Sequence, residues 1–258
     1  MGSTEILVDR SGPVGLITLN RSEEMNTFTY VFAEKLNRAL IDFDEDDDIR
    51  VVIIRAEGKN FSAGIALNSF KEKDHREYRE FLRMMDLHNH TIAKMKKTVI
   101  GAVKGYTLAN GAGLAFACDL VIASEDTKLG TTAINVGLIC LGPAVPLYRI
   151  AGRRKTLEMV LTGDMMTAGE ALTLGLVNRV VPTDELEDAA MELAMKLANK
   201  SPLAMEVGKR GIYSLQDLPY HQGADLMTEY FANLCSTEDA EEGVKAFLEK
   251  RKPNWKIR

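Results

Sequence analysis

Two glycine-rich turns are the parts of this sequence best suited to binding a negatively charged oxygen. One reads ANGAG at Ala109–Gly113, and the other reads NFSAGIAL at Asn60–Leu67. Each follows an apolar segment typical of a buried parallel strand, and ligands tend to bind where such strands end. Backbone N–H groups at a helix start attract a negative oxygen, and a pair of them can stabilise an oxyanion or an enolate. The turns therefore indicate an anion site built from backbone.

The same small residues also fit a purely structural role. They let a strand and a helix pack closely, and glycine adopts backbone conformations that other residues avoid. The spacing at Ala109–Gly113 does not match GxGxxG, and no GK[ST] follows it, so dinucleotide and P-loop sites are excluded. At this point the structural and the oxyanion interpretations both remain open.

Alternating strands and helices are expected to position these turns. The hydrophobic pattern predicts strands at Gly12–Asn20, Val51–Gly58, Val99–Gly105 and Leu120–Ser124, and helices at Thr29–Asp44 and Asp74–Lys97, with a short helix after the ANGAG turn. This order predicts an α/β layout with right-handed crossovers.

Helices dominate the sequence from Pro143 onward. The predicted helices are Pro143–Ala151, Arg154–Leu161, Ala168–Leu174, Asp184–Asn199, Pro202–Leu215, Leu218–Cys235 and a last amphipathic helix in the tail. Val177–Pro182 is predicted as a lone strand between them. We divide the chain into a core at residues 1–200 and a helical region at residues 201–258.

Composition narrows the class of protein. The chain has 258 residues, is 46% hydrophobic and has a net charge of −5, which argues against a nucleic-acid partner. No apolar run is long enough for a membrane span, and no signal peptide is visible at the N-terminus. The three cysteines form neither a disulfide framework nor a metal-ligand pattern, so we expect no metal and a cytoplasmic location.

Five segments, taken in order, resemble the crotonase (enoyl-CoA hydratase/isomerase) superfamily. They are NRSEEMN at residues 20–26, the FSAGIAL turn, the block from Lys96 to Ser124, LTGDMMTAGEALTLGLVNRVVP at residues 161–182, and the closing FLEKRKPNW. The match runs from about Val8 to Lys256. The resemblance implies a crotonase-like ββα spiral core with a helical C-terminal trimerisation region, and a homotrimer or a hexamer made of two trimers.

The resemblance also implies a substrate and the residues that bind it. Members of the superfamily bind acyl-CoA thioesters and stabilise a thioester enolate with two backbone N–H groups, which here belong to Ile65 and Asn110. Coenzyme A is part of the substrate, so no separate cofactor is expected. The positions implied for CoA binding are Met25, Ala63, Gly64, Gly111, Phe247 and Lys250. Phe247 and Lys250 match positions that reach the CoA of a neighbouring subunit, although Lys250 also fits an ordinary solvated lysine.

Both hydratase glutamates are missing. Hydratases of this superfamily use two glutamates to add water, and these positions hold Gly113 and Ala133, neither of which transfers a proton. We therefore expect weak or absent hydration of a linear enoyl-CoA. Asp119 and Glu125, the nearest acids in the sequence, are interpreted as structural.

Asp86 and Cys140 are the candidate replacements for the missing acid/base pair. Asp86 lies about 100° from Met85 on a helical wheel, so it either faces the pocket or is a solvated boundary aspartate. His88 is predicted to be a core histidine in preference to a catalyst. Cys140 precedes a helix start marked by Pro143, which would lower the pKa of its thiol; a small buried hydrophobe is the alternative.

Two functional classes remain. The first is an acyl-CoA thioester-processing enzyme acting through a stabilised enolate, with hydration, isomerisation, decarboxylation and thioester hydrolysis unresolved. The second is a catalytically inactive CoA-thioester binding or structural member. A third class, an RNA-binding role, is favoured only by the KRKPNWK tail and by KMKK at Lys94–Lys97.

Overall fold

Six of the strands form the main sheet of the computed structural model, which describes residues 4–256. The strands are β1 (Ile6–Ser11), β2 (Val14–Leu19), β3 (Val51–Ala56), β4 (Thr98–Val103), β5 (Tyr106–Leu108), β6 (Leu120–Ser124), β7 (Lys128–Gly130), β8 (Met165–Thr167) and β9 (Arg179–Val181). The order in the main sheet is β1-β2-β3-β4-β6-β9. Only β1 pairs antiparallel there, with β2, and the other neighbours are parallel.

The buried strands of this sheet confirm the predicted α/β layout. Strands β2 and β4 are buried along their whole length, which is typical of parallel strands covered on both faces. Val51 pairs with Val14 on one side and with Thr98 on the other, so β3 lies at the centre. The strand predicted at residues 177–182, between helices in the sequence, is present as β9, which pairs with β6 at the edge of the sheet.

A second sheet contains the three short strands β5, β7 and β8, none of which the hydrophobic pattern predicts. Each has three residues, too few to show an alternation. Two isolated bridges, Phe28 to Ile65 and Ser62 to Thr107, connect the glycine-rich turn at Asn60–Leu67 to neighbouring segments. The small sheet and these bridges bring the two turns together.

Helices cover both faces of the main sheet and build the C-terminal region. They are α1 (Tyr30–Glu45), α2 (His75–Met85), α3 (Leu87–Lys94), α4 (Asn110–Ala117), α5 (Leu141–Thr162), α6 (Ala168–Thr173), α7 (Leu186–Ala198), α8 (Pro202–Leu215), α9 (Tyr220–Cys235) and α10 (Glu238–Leu248). Gly152 interrupts α5 with a positive φ of 72°, close to the predicted break between two helices.

The predicted helix at Asp74–Lys97 is wrong, because the segment forms two helices separated by Asp86. The first, α2, begins with a capping box between Asp74 and Glu77. The backbone of Asp86 (φ −102°, ψ 2°) ends it. The carbonyl of Met85, which would accept from Asn89 in a continuous helix, accepts from the side chain of Asn110, and Asn89 N–H donates to Asp86.

Two apolar layers sandwich the main sheet. One face packs against α7, where Leu186, Ala190 and Ala194 are buried. The other face packs against α1 and α4, and the buried face of α1 follows the predicted helical spacing. The side chain of Thr29 caps α1 by accepting from Phe32 N–H.

The C-terminal region is helical, as predicted. The described helices are each too short or too polar to cross a bilayer. The proposed division between residues 200 and 201 falls just before α8 and stays a prediction.

Candidate active site

The glycine-rich turn at Asn60–Leu67 is held in place by the buried side chain of Asn26. Its Nδ2 donates to the carbonyl oxygens of Glu57 and Asn60, at 3.0 and 2.9 Å. Ser62 Oγ in turn donates to the carbonyl of Asn26 at 2.8 Å. Ala63 N–H donates to the carbonyl of Met25, whose φ of 51° is left-handed. Met25 is therefore hydrogen-bonded to the turn that carries Ala63 and Gly64, so three of the implied CoA-binding positions lie close together.

The two glycine-rich turns are in direct contact, and only glycine permits their approach. Gly64 has a φ of 99°, and a Cβ placed on it would lie 2.6 Å from Cβ of Ala109 and 3.2 Å from N of Asn110. A Cβ on Gly111 would overlap the carbonyl of Ser62. The backbone segments carrying the amides of Ile65 and Asn110 are thus adjacent, and Gly64 and Gly111 make this approach possible.

Both predicted donors are free of protein acceptors. Within residues 4–256, neither Ile65 N–H nor Asn110 N–H donates to a protein atom. Asn110 is the first residue of α4, and Ala109 before it has an unusual φ of 47°. The positive end of the helix dipole adds to the attraction of this amide for an anion. The pair has the properties of an oxyanion hole.

The carboxylate of Asp86 reaches this site from the break between α2 and α3. Its Oδ1 accepts a hydrogen bond from Asn110 Nδ2 at 3.1 Å. The carboxylate also lies against the backbone of Gly142, in the first turn of α5, where a Cβ would overlap it. Of the two readings of Asp86, the inward-facing one agrees with these contacts.

Burial raises the pKa of Asp86 to about 6, although the hydrogen bond from Asn110 and the charge of His90 oppose the rise. A carboxyl with a pKa near neutrality is suited to taking up and releasing a proton. Asp86 thus combines a pKa in this range with a direct contact to Asn110, one of the two predicted donor residues.

Cys140 lies next to this site, but the expected lowering of its pKa is wrong. It precedes α5 as predicted and is buried. Burial raises the pKa of its thiol, with a smaller rise from the charge of Asp86, and a backbone hydrogen bond with Ala133 opposes the rise. A neutral thiol is a poor nucleophile, so these contacts favour a small packing residue.

His88 lies in the core beside the site. It is 3% exposed, and its ring lies 5.8 Å from that of Phe28. Burial lowers its pKa to about 4, so the ring is neutral at pH 7. Its Nε2 has no hydrogen-bond partner in the described part of the chain, so one of the two ring nitrogens is buried without a hydrogen bond.

Gly113 and Ala133, the positions predicted for the two hydratase glutamates, differ in their surroundings, since Gly113 is buried and Ala133 is partly exposed. A Cβ on Gly113 would lie 2.9 Å from Cγ of Pro143, whose ring is buried against α4. Ala133 lies beside Cys140. Asp119, interpreted as structural, accepts from Lys209 Nζ at 2.7 Å and from Tyr213 Oη at 3.0 Å.

Two implied CoA-binding positions lie apart from these contacts. Phe247 is 83% exposed in α10, and Lys250 follows that helix and is also exposed. Their assignment to a neighbouring subunit stays a prediction. In residues 4–256, no group of three or more His, Cys, Asp or Glu side chains could hold a metal ion.

Sequence reasoning missed the side chain of Asn110 and the role of Gly142. Asn110 was singled out for its backbone N–H alone, yet its side chain is buried and bonded. The one sequence feature that could have indicated a role for this side chain is the presence of a polar amide among small residues. Nothing in the local sequence shows that Gly142 meets Asp86.

Comparison with known proteins places these features in context. Residues 9–258 match the family model described as enoyl-CoA hydratase/isomerase. The chain is 34% identical to a probable mitochondrial enoyl-CoA hydratase of Dictyostelium discoideum, over 96% of this chain and 89% of the relative. It is also 34% identical to a 2,3-dehydroadipyl-CoA hydratase of Escherichia coli, over 99% and 100%. A crystal structure of enoyl-CoA hydratase from Mycobacterium smegmatis superposes with a TM-score of 0.94 at 33% identity, covering 98% and 99% of the chains.

Proposed function

Because the chain belongs to the enoyl-CoA hydratase/isomerase family and has its crotonase fold, we propose that this enzyme processes an acyl-CoA thioester through an enolate. The N–H groups of Ile65 and Asn110 hold the enolate oxygen. One observation carries the proposal: two backbone donors without protein acceptors in residues 4–256 lie on turns whose close contact requires glycine at Gly64 and Gly111. Removing one donor from such a site typically costs about 3 kcal/mol of transition-state stabilisation.

Asp86 is proposed as the proton-transfer group. With a pKa of about 6, its carboxylate is mostly ionised at pH 7 and acts first as a base. It removes a proton from the carbon next to the thioester carbonyl, and the electron pair moves to the carbonyl oxygen. Returning the proton to C4 of a 3-enoyl-CoA gives the 2-enoyl-CoA. Double-bond isomerisation fits best because it needs a single base.

Hydration of a linear enoyl-CoA is proposed to be weak or absent. Adding water across the double bond draws on two acid/base groups, and Gly113 and Ala133 supply neither. Cys140 is the remaining candidate partner, but the raised pKa of its buried thiol argues against proton transfer. Decarboxylation and thioester hydrolysis remain alternative outcomes of the same enolate site.

The test is an incubation of the protein in D2O with 3-hexenoyl-CoA, crotonyl-CoA and saturated or carboxylated acyl-CoAs. Mass spectrometry reads deuterium uptake, hydration and cleavage, and the ultraviolet absorbance of the conjugated 2-enoyl thioester reads isomerisation, which by itself leaves the mass unchanged. We expect isomerisation of 3-hexenoyl-CoA and uptake of deuterium at C2. Asp86→Asn should slow both by about 10²- to 10⁴-fold, the usual contribution of a general base. Asp48→Asn makes the same chemical change at an exposed position and should leave both rates unchanged.

Two results would count against the proposal. Equal rates for Asp86→Asn and Asp48→Asn would remove Asp86 from the mechanism. Saturable binding of acyl-CoA with neither turnover nor exchange would favour the second candidate, a catalytically inactive CoA-thioester binder. The tight packing of Gly113 against Pro143, at one position predicted for a hydratase glutamate, is the observation behind that alternative.

A homotrimer or hexamer is proposed as the assembled form, with acyl-CoA as the substrate and no separate cofactor. Large apolar side chains exposed on α5 and the C-terminal helices support self-association: Leu141, Val145, Tyr220, Phe231 and Phe247. The cytoplasmic location suggested by the cysteine pattern stays a prediction, since a relative at 34% identity is named as mitochondrial.

A further inference from the structure

The side chain of Asn110 bridges the two sides of the break between α2 and α3. It is 6% exposed, and its Nδ2 donates to the carbonyl of Met85 at 3.3 Å and to Oδ1 of Asp86 at 3.1 Å. The carbonyl of Met85 thereby gains a partner where the regular helical bond is lost. The Asn110 amide thus contacts both the backbone at the break, which His88 also contacts, and the carboxylate that leaves it.

We propose that Asn110 is a positioning residue for Asp86, holding its carboxylate beside the oxyanion turn. One residue then serves both halves of the reaction: its backbone N–H faces the enolate oxygen, and its side chain orients the base. This inference rests on the proposed function where it treats Asp86 as the catalytic base. The contact between Asn110 and Asp86 is independent of that function.

The local structure at Asp86 favours positioning over ordinary helix capping. Asp86 occupies the residue before α3, where an aspartate side chain normally accepts from the helix backbone, yet it makes no capping hydrogen bond. Its carboxylate lies instead between Asn110 and the backbone of Gly142. Three elements, the α2–α3 break, the start of α4 and the start of α5, therefore converge on one carboxylate.

The charged and titratable groups near Asp86 are few. His90 of α3 is exposed and favours the carboxylate, whereas Cys140 before α5 has a raised pKa and is neutral at pH 7. From α4 comes the neutral amide of Asn110, and from α5 the positive end of the helix dipole. The amide is the largest of the effects that oppose burial and lower the Asp86 pKa. Its removal should therefore raise that pKa.

The experiment compares Asn110→Ala and Asn110→Asp with the wild-type protein. Both variants keep the backbone N–H, while Asp replaces the amide donor by a second carboxylate. The acid limb of the isomerisation rate of 3-hexenoyl-CoA should move to higher pH by about one unit in Asn110→Ala, which is the value of one charge-assisted hydrogen bond. It should move further in Asn110→Asp. Asn233→Ala, at an exposed position in α9, should leave the limb in place.

A direct titration separates this inference from the proposed function. The Asp86 carboxyl is followed by ¹³C NMR in the free protein and assigned with Asp86→Asn. A raised pKa in both Asn110 variants supports positioning, even if Asp86→Asn proves fully active and the proposed function fails. An unchanged pKa, or a loss of rate with no movement of the acid limb, would overturn the inference.

Discussion

Asp86 stands at a helix boundary where its preferred local hydrogen bond is left unmade. An N-cap aspartate that loses its capping bond costs a helix about 1 kcal/mol. Here the side chain contacts Asn110 and Gly142, and burial raises its pKa to about 6. A residue that gives up local stability for a polar, half-buried position is typical of a functional site.

Gly142→Ala tests the position of this carboxylate. The new Cβ would overlap the carboxyl group of Asp86, and the flexible side chain would rotate away from Asn110. Because alanine favours a helix over glycine, the fold should remain stable. We expect the rate of deuterium exchange at C2 of the acyl-CoA to fall toward that of Asp86→Asn.

The matched control for this change is Gly208→Ala, also within a helix, where a Cβ would meet no atom within 4 Å. It should retain wild-type exchange. If Gly142→Ala exchanged deuterium at the wild-type rate, the carboxylate would not need its place beside Asn110.

At the scale of elements, the contact of α4 with α5 leaves no room for a longer side chain at Gly113, the position predicted for the first hydratase glutamate. Gly113 lies in α4 against Pro143 in the first turn of α5, and both are buried. The proline ring is rigid, so it cannot move aside as a flexible side chain would. The packing of the two helices therefore restricts this position to a very small residue.

Gly113→Ala should therefore destabilise the protein by about 1–3 kcal/mol, the usual cost of overpacking a core. The new Cβ would lie 2.9 to 3.2 Å from three atoms of Pro143. The free energy of unfolding is measured by urea titration at fixed protein concentration. Gly169→Ala, which has open space around it in α6, is the control and should be near neutral.

Gly113→Glu tests whether a carboxylate at this position can support hydration. It should be less stable than Gly113→Ala and should not gain hydration of crotonyl-CoA, because the position lacks the space that the carboxylate needs. A stable, hydrating Gly113→Glu variant would show that the α4–α5 packing is not the obstacle.

At the scale of the whole molecule, a buried ion pair fastens the C-terminal helices to the sheet core. Lys209 of α8 donates to Asp119, which follows α4, and to the carbonyl of Lys97 before β4. The side chain of Lys209 is only 6% exposed. Asp119 also accepts from Val99 N–H and Tyr213 Oη, so its carboxylate is fully partnered.

Lys209→Met should cost about 3–5 kcal/mol in the free energy of unfolding, because it leaves the buried carboxylate without its charge partner. Urea titration gives the value. Lys196→Met, at an exposed position of α7, should change it by less than about 0.5 kcal/mol. Adding Asp119→Asn to Lys209→Met should recover part of the loss, and equal stability of the two lysine variants would refute the role of the pair.

Most of the secondary structure and the backbone part of the site could be predicted from the sequence. Helix α8 begins and ends at its predicted residues, and the buried face of α1 follows the predicted spacing. These elements are encoded locally, by hydrophobic periodicity and capping residues. The two glycine-rich turns are also encoded locally, because a close contact between two backbone segments requires small residues at the point of contact.

The side-chain part of the site was decided by tertiary structure alone. Asp86 and Asn110 are 24 residues apart, and Gly142 lies further along the chain, so no local pattern shows that they meet. The pKa values depend on burial, which is why the thiol of Cys140 has a raised pKa despite its place before a helix. The sequence by itself determined where backbone donors could be exposed, whereas long-range packing determined which acid lies beside them and in which protonation state.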